Sequence, residues 1–210
     1  MLFRSASLPT VRPCHLATLL ALVALAPACG AGGHPAAPAP DAARVDPTLG
    51  ALPTGDTVAR VEVPRYLGTW YEIASIPKGF QARCAGTTAT YGAVDADTIS
   101  VVNRCRVGGL DGAPVEIAGE ADVVDAASRA RLEVRFGLFG SAPYWIVDLA
   151  EPQGDAPYAW AVVSTPGRDA LWFLARTPQI DPARYDAVIA RLQARGFEPG
   201  RMRRTAQPGA

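Results

Sequence analysis

The sequence predicts an all-β fold, a barrel or a sandwich, of eight consecutive antiparallel strands with one amphipathic helix after the last. Three observations predict it. Short segments rich in β-branched and aromatic residues recur from Tyr66 onward, clusters of Gly, Pro and Asp separate them, and helical periodicity occurs once, late in the chain. With 210 residues and 49% hydrophobic content, the chain can bury one core of about 150 residues and still carry an N-terminal extension.

The elements follow in order. Gly68–Ser75 is the first strand, carrying Trp70, Tyr71 and Ile73. Thr87–Val94 and Ile99–Val107 flank Asp95-Ala96-Asp97, whose carboxylates suit a reversal. Gly108–Gly112 turns the chain into Val115–Val124. In Arg131–Phe136, Leu132, Val134 and Phe136 alternate with Arg131, Glu133 and Arg135, which predicts one wet face and one buried face. Tyr144–Ala150 is apolar on both faces across Tyr144-Trp145-Ile146-Val147. Gly154–Pro157 precedes Ala159–Thr165, and Pro166–Asp169 precedes Ala170–Arg176. Asp181-Pro182 then supplies a capping carboxylate and a proline at the first helical position. Tyr185, Val188, Ile189 and Leu192 share one helical face, and Gly196 closes the helix. A closed barrel of this size is either filled by side chains or holds one small ligand, and periodicity does not choose between the two.

Ahead of the strands, Met1–Arg12 carries Arg4 and Arg12 and no acid, and Leu16–Ala28 is an apolar run of 13 residues. This is the pattern of a signal-peptide core, too short to span a bilayer. Ala26-Pro27-Ala28 fits an ordinary small-residue cleavage site. Cys29, directly after it, is similar to the lipid-acceptor cysteine of bacterial lipoproteins, and Gly30 after that resembles an outer-membrane address. Both readings cut before Cys29, so residues 1–28 are expected to be removed. Gly30–Thr57 is rich in Ala, Pro, Gly and Asp with few large apolar residues, and residues 29–57 are expected to form a disordered tether. The domain proper is expected over residues 58–210.

Cys14 leaves with the signal, so the mature chain keeps an odd number of cysteines: Cys29, Cys84 and Cys105. Pairing Cys84 with Cys105 across the second and third strands leaves Cys29 over, and a lipid there removes its reactive thiol. No CxxC spacing is present, which favours a structural bridge over a redox pair.

Several function classes lose their footing. Without the signal, 18 basic residues stand against 20 acidic ones, so no basic field exists to hold nucleic acid. The two histidines, His15 and His34, lie in the signal and the tether, which leaves the domain without a Ser-His-Asp or Cys-His nucleophile and without most zinc sites. No phosphate-binding glycine motif or nucleophile elbow appears. Glu72, Glu120 and Glu133 remain as acids, more often solvated than catalytic on barrel strands. No cofactor and no metal are expected.

Pro64-Arg65-Tyr66-Leu67-Gly68-Thr69-Trp70-Tyr71-Glu72-Ile73-Ala74 resembles the opening motif of the lipocalins, centred on Gly68 and Trp70, and Leu171-Trp172-Phe173-Leu174-Ala175-Arg176-Thr177-Pro178 resembles their last strand. Between them, Ala118–Ala121, Ala130–Phe136 and Ser141–Val147 are similar to the branch that contains bacterial outer-membrane lipocalins and apolipoprotein D. Val147-Asp148-Leu149-Ala150 departs from the common Thr-Asp-Tyr pattern. The resemblance covers residues 61 to about 206. It implies an eight-stranded antiparallel up-and-down barrel with the C-terminal helix packed outside, and Arg176 capping Trp70 at the closed end. It implies a cavity lined by Tyr91, Asn103, Tyr144 and Trp172, with Phe80 and the Gly137-Leu138-Phe139-Gly140 loop at the open mouth.

The expected function is that of a non-enzymatic carrier. It would hold a fatty acid, a lysophospholipid or a similar small hydrophobic molecule, for membrane lipid storage, transport or maintenance. The expected location is the outer membrane, facing the periplasm through a lipid on Cys29, with a soluble periplasmic or secreted protein as the alternative. Two rivals stand beside it: an enzyme of the same fold using a cavity acid such as Glu72 or Glu120, and a filled barrel that recognises proteins, including a second copy as a homodimer.

Overall fold

β-Branched and aromatic residues spaced two apart put one apolar set on the inner side of each strand. The computed structural model describes residues 46–209; the expected signal segment 1–28, the expected lipidation site Cys29 and residues 30–45 of the expected tether lie outside them. A single helical turn, α1 (Val63–Tyr66), leads into β1 (Gly68–Ser75). β2 (Cys84–Ala93), β3 (Thr98–Val107), β4 (Ala113–Val123) and β5 (Arg131–Arg135) follow, then β6 (Ser141–Leu149), β7 (Trp160–Ser164) and β8 (Leu171–Ala175). Each strand pairs antiparallel with the next, β8 pairs with β1, and β1 pairs with β2, so the eight strands close into a barrel. The barrel alternative is therefore the one realised, and closure leaves these strands no free edge.

After β8 the chain forms α2 (Pro182–Ala194). The Asp181 carboxylate accepts from the amides of Ala183 and Arg184 at 2.8 and 3.1 Å, as the capping reading anticipates. Val188 and Leu192 are fully buried, and Tyr185 stacks on Phe173 of β8 at 5.7 Å. Phe173 points outward to the helix, so its neighbours Trp172 and Leu174 point into the barrel. Arg191 pairs with Asp148 of β6, which is fully buried, at 2.9 Å to both carboxylate oxygens. The helix is thereby held to the barrel by a charge pair as well as by apolar contact.

Two features depart from the sequence reading. A short ninth strand, β9 (Arg203–Arg204), pairs with Ala74 and Ser75 of β1. β1 and β2 pair only from Gly68↔Tyr91 to Tyr71↔Thr88 and diverge beyond, and the C-terminal segment fills that gap. The Thr205 amide donates to Ile73 O, the Gly86 amide donates to Ala206 O, and Gln207 Nε2 donates to both Glu72 O and Thr87 O at 2.9 Å.

The second departure concerns residues 46–57, read from the sequence as the end of a disordered tether. They dock on the barrel instead. Asp46 pairs with Arg184, and Trp160 Nε1 donates to Thr48 Oγ1 at 3.0 Å. Arg191 donates to the carbonyls of Gly50 and Ala51, and Arg195 to that of Gly55. The segment has few apolar side chains, of which Leu49 packs against the core, and its backbone acceptors meet Arg191 of α2 and Arg195 just after it, about 140 residues away in sequence.

Candidate functional site

The closed end of the barrel is built around Gly68. Its φ is +95°, and a β-carbon there would lie 3.4 Å from Arg176 Nη1, so glycine supplies both the backbone conformation and the space. The Arg176 guanidinium sits 3.7 Å from the centre of the Trp70 ring and donates to the carbonyls of Arg65, Thr69 and Tyr158 at 2.9 to 3.1 Å. Trp70 is fully buried and its indole N–H donates to Tyr66 O at 2.8 Å. One guanidinium thus ties α1, β1 and the segment before β7 together over an indole face.

Inside this plug lie three phenols. Tyr144 OH is hydrogen-bonded to Tyr66 OH at 2.7 Å and to Tyr91 OH at 2.8 Å, and Tyr66 stacks on Tyr91 at 5.6 Å. Burial pushes all three pKa values up, that of Tyr91 to about 12, so the phenols stay protonated. Three protons serve two mutual bonds, which leaves one phenolic proton to donate elsewhere.

Beyond the phenols is a cavity of about 200 Å³. An enclosed apolar space of about 150 Å³ already accepts benzene, so the interior is open and not filled. The structure brings Tyr91, Asn103, Tyr144 and Trp172 together on its walls. Val101, Val134, Phe136, Ala142, Pro143 and Leu174 supply apolar lining. Glu72, Gln81, Thr87 and Asn103 form a polar group shared with a smaller cavity of about 50 Å³. Among the described residues no lysine, arginine or histidine lines the larger cavity.

Glu72 is 8% exposed, and its Oε1 accepts from Ser75 Oγ at 2.9 Å and Thr205 Oγ1 at 2.5 Å. Burial raises its pKa from the ordinary value, and the two hydroxyl bonds only partly oppose this. Glu120 and Glu133 do not line the cavity, and Glu120 lies exposed beside Arg135 at 3.9 Å. Cys84 and Cys105 are joined in a disulfide with their Cα atoms 5.5 Å apart, fastening β2 to β3 near the open end. The Gly137–Phe139 turn lies at that end between β5 and β6, with Leu138 fully exposed, and the turn Gly79–Arg83 carries Phe80 between β1 and β2.

The sequence reading missed Gln81, Thr87 and Tyr66. Glu72 was named as a cavity acid only for the enzyme alternative and not among the ligand-binding residues, although it stands two positions after the inward Trp70 on the same strand, and period-2 alternation puts it on the inner face. Tyr66 carries no such signal because it precedes the strand.

Comparison with known proteins places this geometry among its relatives. The family described as "Lipocalin-like domain" matches residues 61–207. The outer membrane lipoprotein Blc of Escherichia coli strain K12 is 34% identical over 163 residues, covering 75% of this chain and 86% of that protein. Apolipoprotein D of Mus musculus is 30% identical over 166 residues, covering 76% of this chain and 84% of its own length. Among solved structures, insecticyanin from the tobacco hornworm Manduca sexta superposes with a TM-score of 0.57 at 16% identity, over 76% of this chain and 88% of that one, which shows a shared fold.

Proposed function

The chain belongs to the lipocalin family, and on that premise we propose that it is a carrier that encloses a small hydrophobic molecule, a fatty acid, a lysophospholipid or a similar lipid, and performs no reaction on it. The observation that carries this reading is the open cavity: an apolar wall faced by Tyr91, Asn103, Tyr144 and Trp172, suited to an acyl chain or flat apolar body with one polar end. Covering about 300 Å² of ligand surface supplies roughly 7 kcal/mol before association costs, which is compatible with micromolar binding. The open interior counts against a filled barrel that acts only through its exterior. Carriage asks no chemistry of Glu72, and no histidine or free thiol lines the cavity beside it among the described residues.

Export to the outer membrane, with a lipid on Cys29 and the barrel facing the periplasm, completes the proposal. Similarity to outer membrane lipoproteins supports it, and mass spectrometry of the membrane-extracted protein tests it, an unmodified N-terminal cysteine overturning the anchor. Binding is tested by native mass spectrometry of residues 30–210, delipidated and titrated with a fatty acid and a lysophospholipid. Saturable one-to-one binding, weakened about tenfold by Trp172→Ala with the fold retained, is the expected result. No bound lipid of either class overturns carriage. The same spectra report the oligomeric state, where a dimer peak would support association through the barrel exterior.

A further inference from the structure

The cavity is not symmetric in its chemistry, and the asymmetry bears on which end-group it accepts. Four of its polar residues, Glu72, Gln81, Thr87 and Asn103, also line the 50 Å³ side cavity, while the phenols Tyr91 and Tyr144 and Thr88 line only the larger space, so its one carboxylate and its two side-chain amides lie where the two spaces share walls. Within this group Glu72 uses only Oε1, toward Ser75 and Thr205; its Oε2 has no hydrogen-bond partner among the described residues. Thr87 Oγ1, in the same wall, is buried without a partner. A buried hydroxyl without a partner costs free energy that a ligand group could recover, and the open Glu72 oxygen beside it is an acceptor for a donor.

No cation among the described residues meets this need. Glu72 takes part in no ion pair among the described residues, and the larger cavity has no basic lining. Arg104 borders the side cavity, but its guanidinium pairs with Glu116 at 2.7 Å and is half exposed. A carboxylate-ended ligand brought here would meet a second acid and no counter-charge. A ligand ending in a donor would meet an unfilled acceptor.

We propose that Glu72 selects the polar end of the ligand: an ammonium first, a hydroxyl second, and a carboxylate last. Oε2 accepts the donor, Thr87 and Asn103 complete its shell, and the apolar body lies against Val134, Phe136 and Leu174. This rests on the carrier reading and narrows it, toward apolar amines and alcohols and away from free fatty-acid anions.

The test uses three probes of one chain length, decylamine, decanol and decanoate, titrated into the delipidated protein by calorimetry at about pH 8, where the amine is protonated and the acid ionised. Decylamine is expected to bind about tenfold or more tightly than decanoate, the scale of one charge-assisted hydrogen bond, with decanol between them. In Glu72→Gln, the decylamine advantage over decanol should disappear while decanol stays within about threefold, because the amide keeps the size and remains an acceptor. Decanoate binding as tightly as decylamine to the unaltered protein overturns the selection while leaving carriage intact. An amine preference that survives in Glu72→Gln also overturns it. If none of the three probes binds, carriage itself falls and the selection with it.

Discussion

At the scale of the residue, a few side chains bear consequences beyond their own contacts. Arg176 holds three carbonyls that belong to separate stretches of chain, and a lysine in its place could neither fork toward all three nor lie flat on Trp70. Glu72 is the opposite case, a group whose burial is costly in its charged form. Its folded pKa is raised above the ordinary 4.5, so the folded state holds its proton more tightly than the unfolded chain. The stability linked to it is therefore fully present below the unfolded value and is lost as pH rises through the folded value. Glu72→Gln removes this dependence. The variant should gain on the unaltered protein as pH rises from about 4.5, read as a growing difference in urea midpoint. A midpoint difference that is flat across that range would show that Glu72 titrates in the folded barrel as it does in the unfolded chain, with no raised pKa.

At the scale of the element, the strands were predictable because each is a short run of β-branched and aromatic residues bounded by turn residues, and their ends were set by partners. β1 coincides with its predicted span, Gly68–Ser75. β2 begins at Cys84, ahead of the predicted Thr87, because Cys84 pairs with Val107 and is bridged to Cys105. β6 begins at Ser141, ahead of the predicted Tyr144, because Ser141, Ala142 and Pro143 lie opposite Arg135, Val134 and Glu133. β9 has two residues and no pattern of its own, and exists because diverging β1 and β2 leave acceptors and donors that need partners. Its continuation rests on Gln207, whose amide bridges Glu72 O and Thr87 O. Gln207→Ala should cost about 1–3 kcal/mol in chemical denaturation, since two buried carbonyls lose their donor. A loss below about 0.5 kcal/mol would mean that water satisfies the seam as well as the side chain does.

At the scale of the whole molecule, both ends of the described chain attach to the barrel: the 203–207 tail fills the seam between β1 and β2, and residues 46–57 lie against α2 and β7. The outer attachment should be acid-sensitive. Burial alone would raise the Asp46 pKa, but hydrogen bonds from Arg184 and Thr48 outweigh it and hold the value at about 2, below the ordinary 3.8. This is a depressed carboxylate, so its contribution is present above 3.8 and is lost as pH falls toward about 2. Pepsin digestion across that interval should leave residues 46–57 protected at its upper end and cut them at its lower end, with Asp46→Asn cut throughout. Equal protection at both ends would show that the arginine bonds to Gly50, Ala51 and Gly55 hold the segment without Asp46.

The sequence by itself determined the eight strands of the barrel, the capped helix, the disulfide pair and the resemblance carried by Gly68, Trp70 and Arg176, because alternation, capping chemistry and short motifs are written in neighbouring residues. The tertiary structure alone decided that the barrel is open, that Tyr66 joins Tyr91 and Tyr144 by hydrogen bonds, that Thr205 and Gln207 complete the wall beside Glu72, and that residues 46–57 dock. These depend on contacts between residues 53 to 141 positions apart or on how side chains fill a common space. Local periodicity records which way a side chain points, and volume and partnership arise only when the strands close around it.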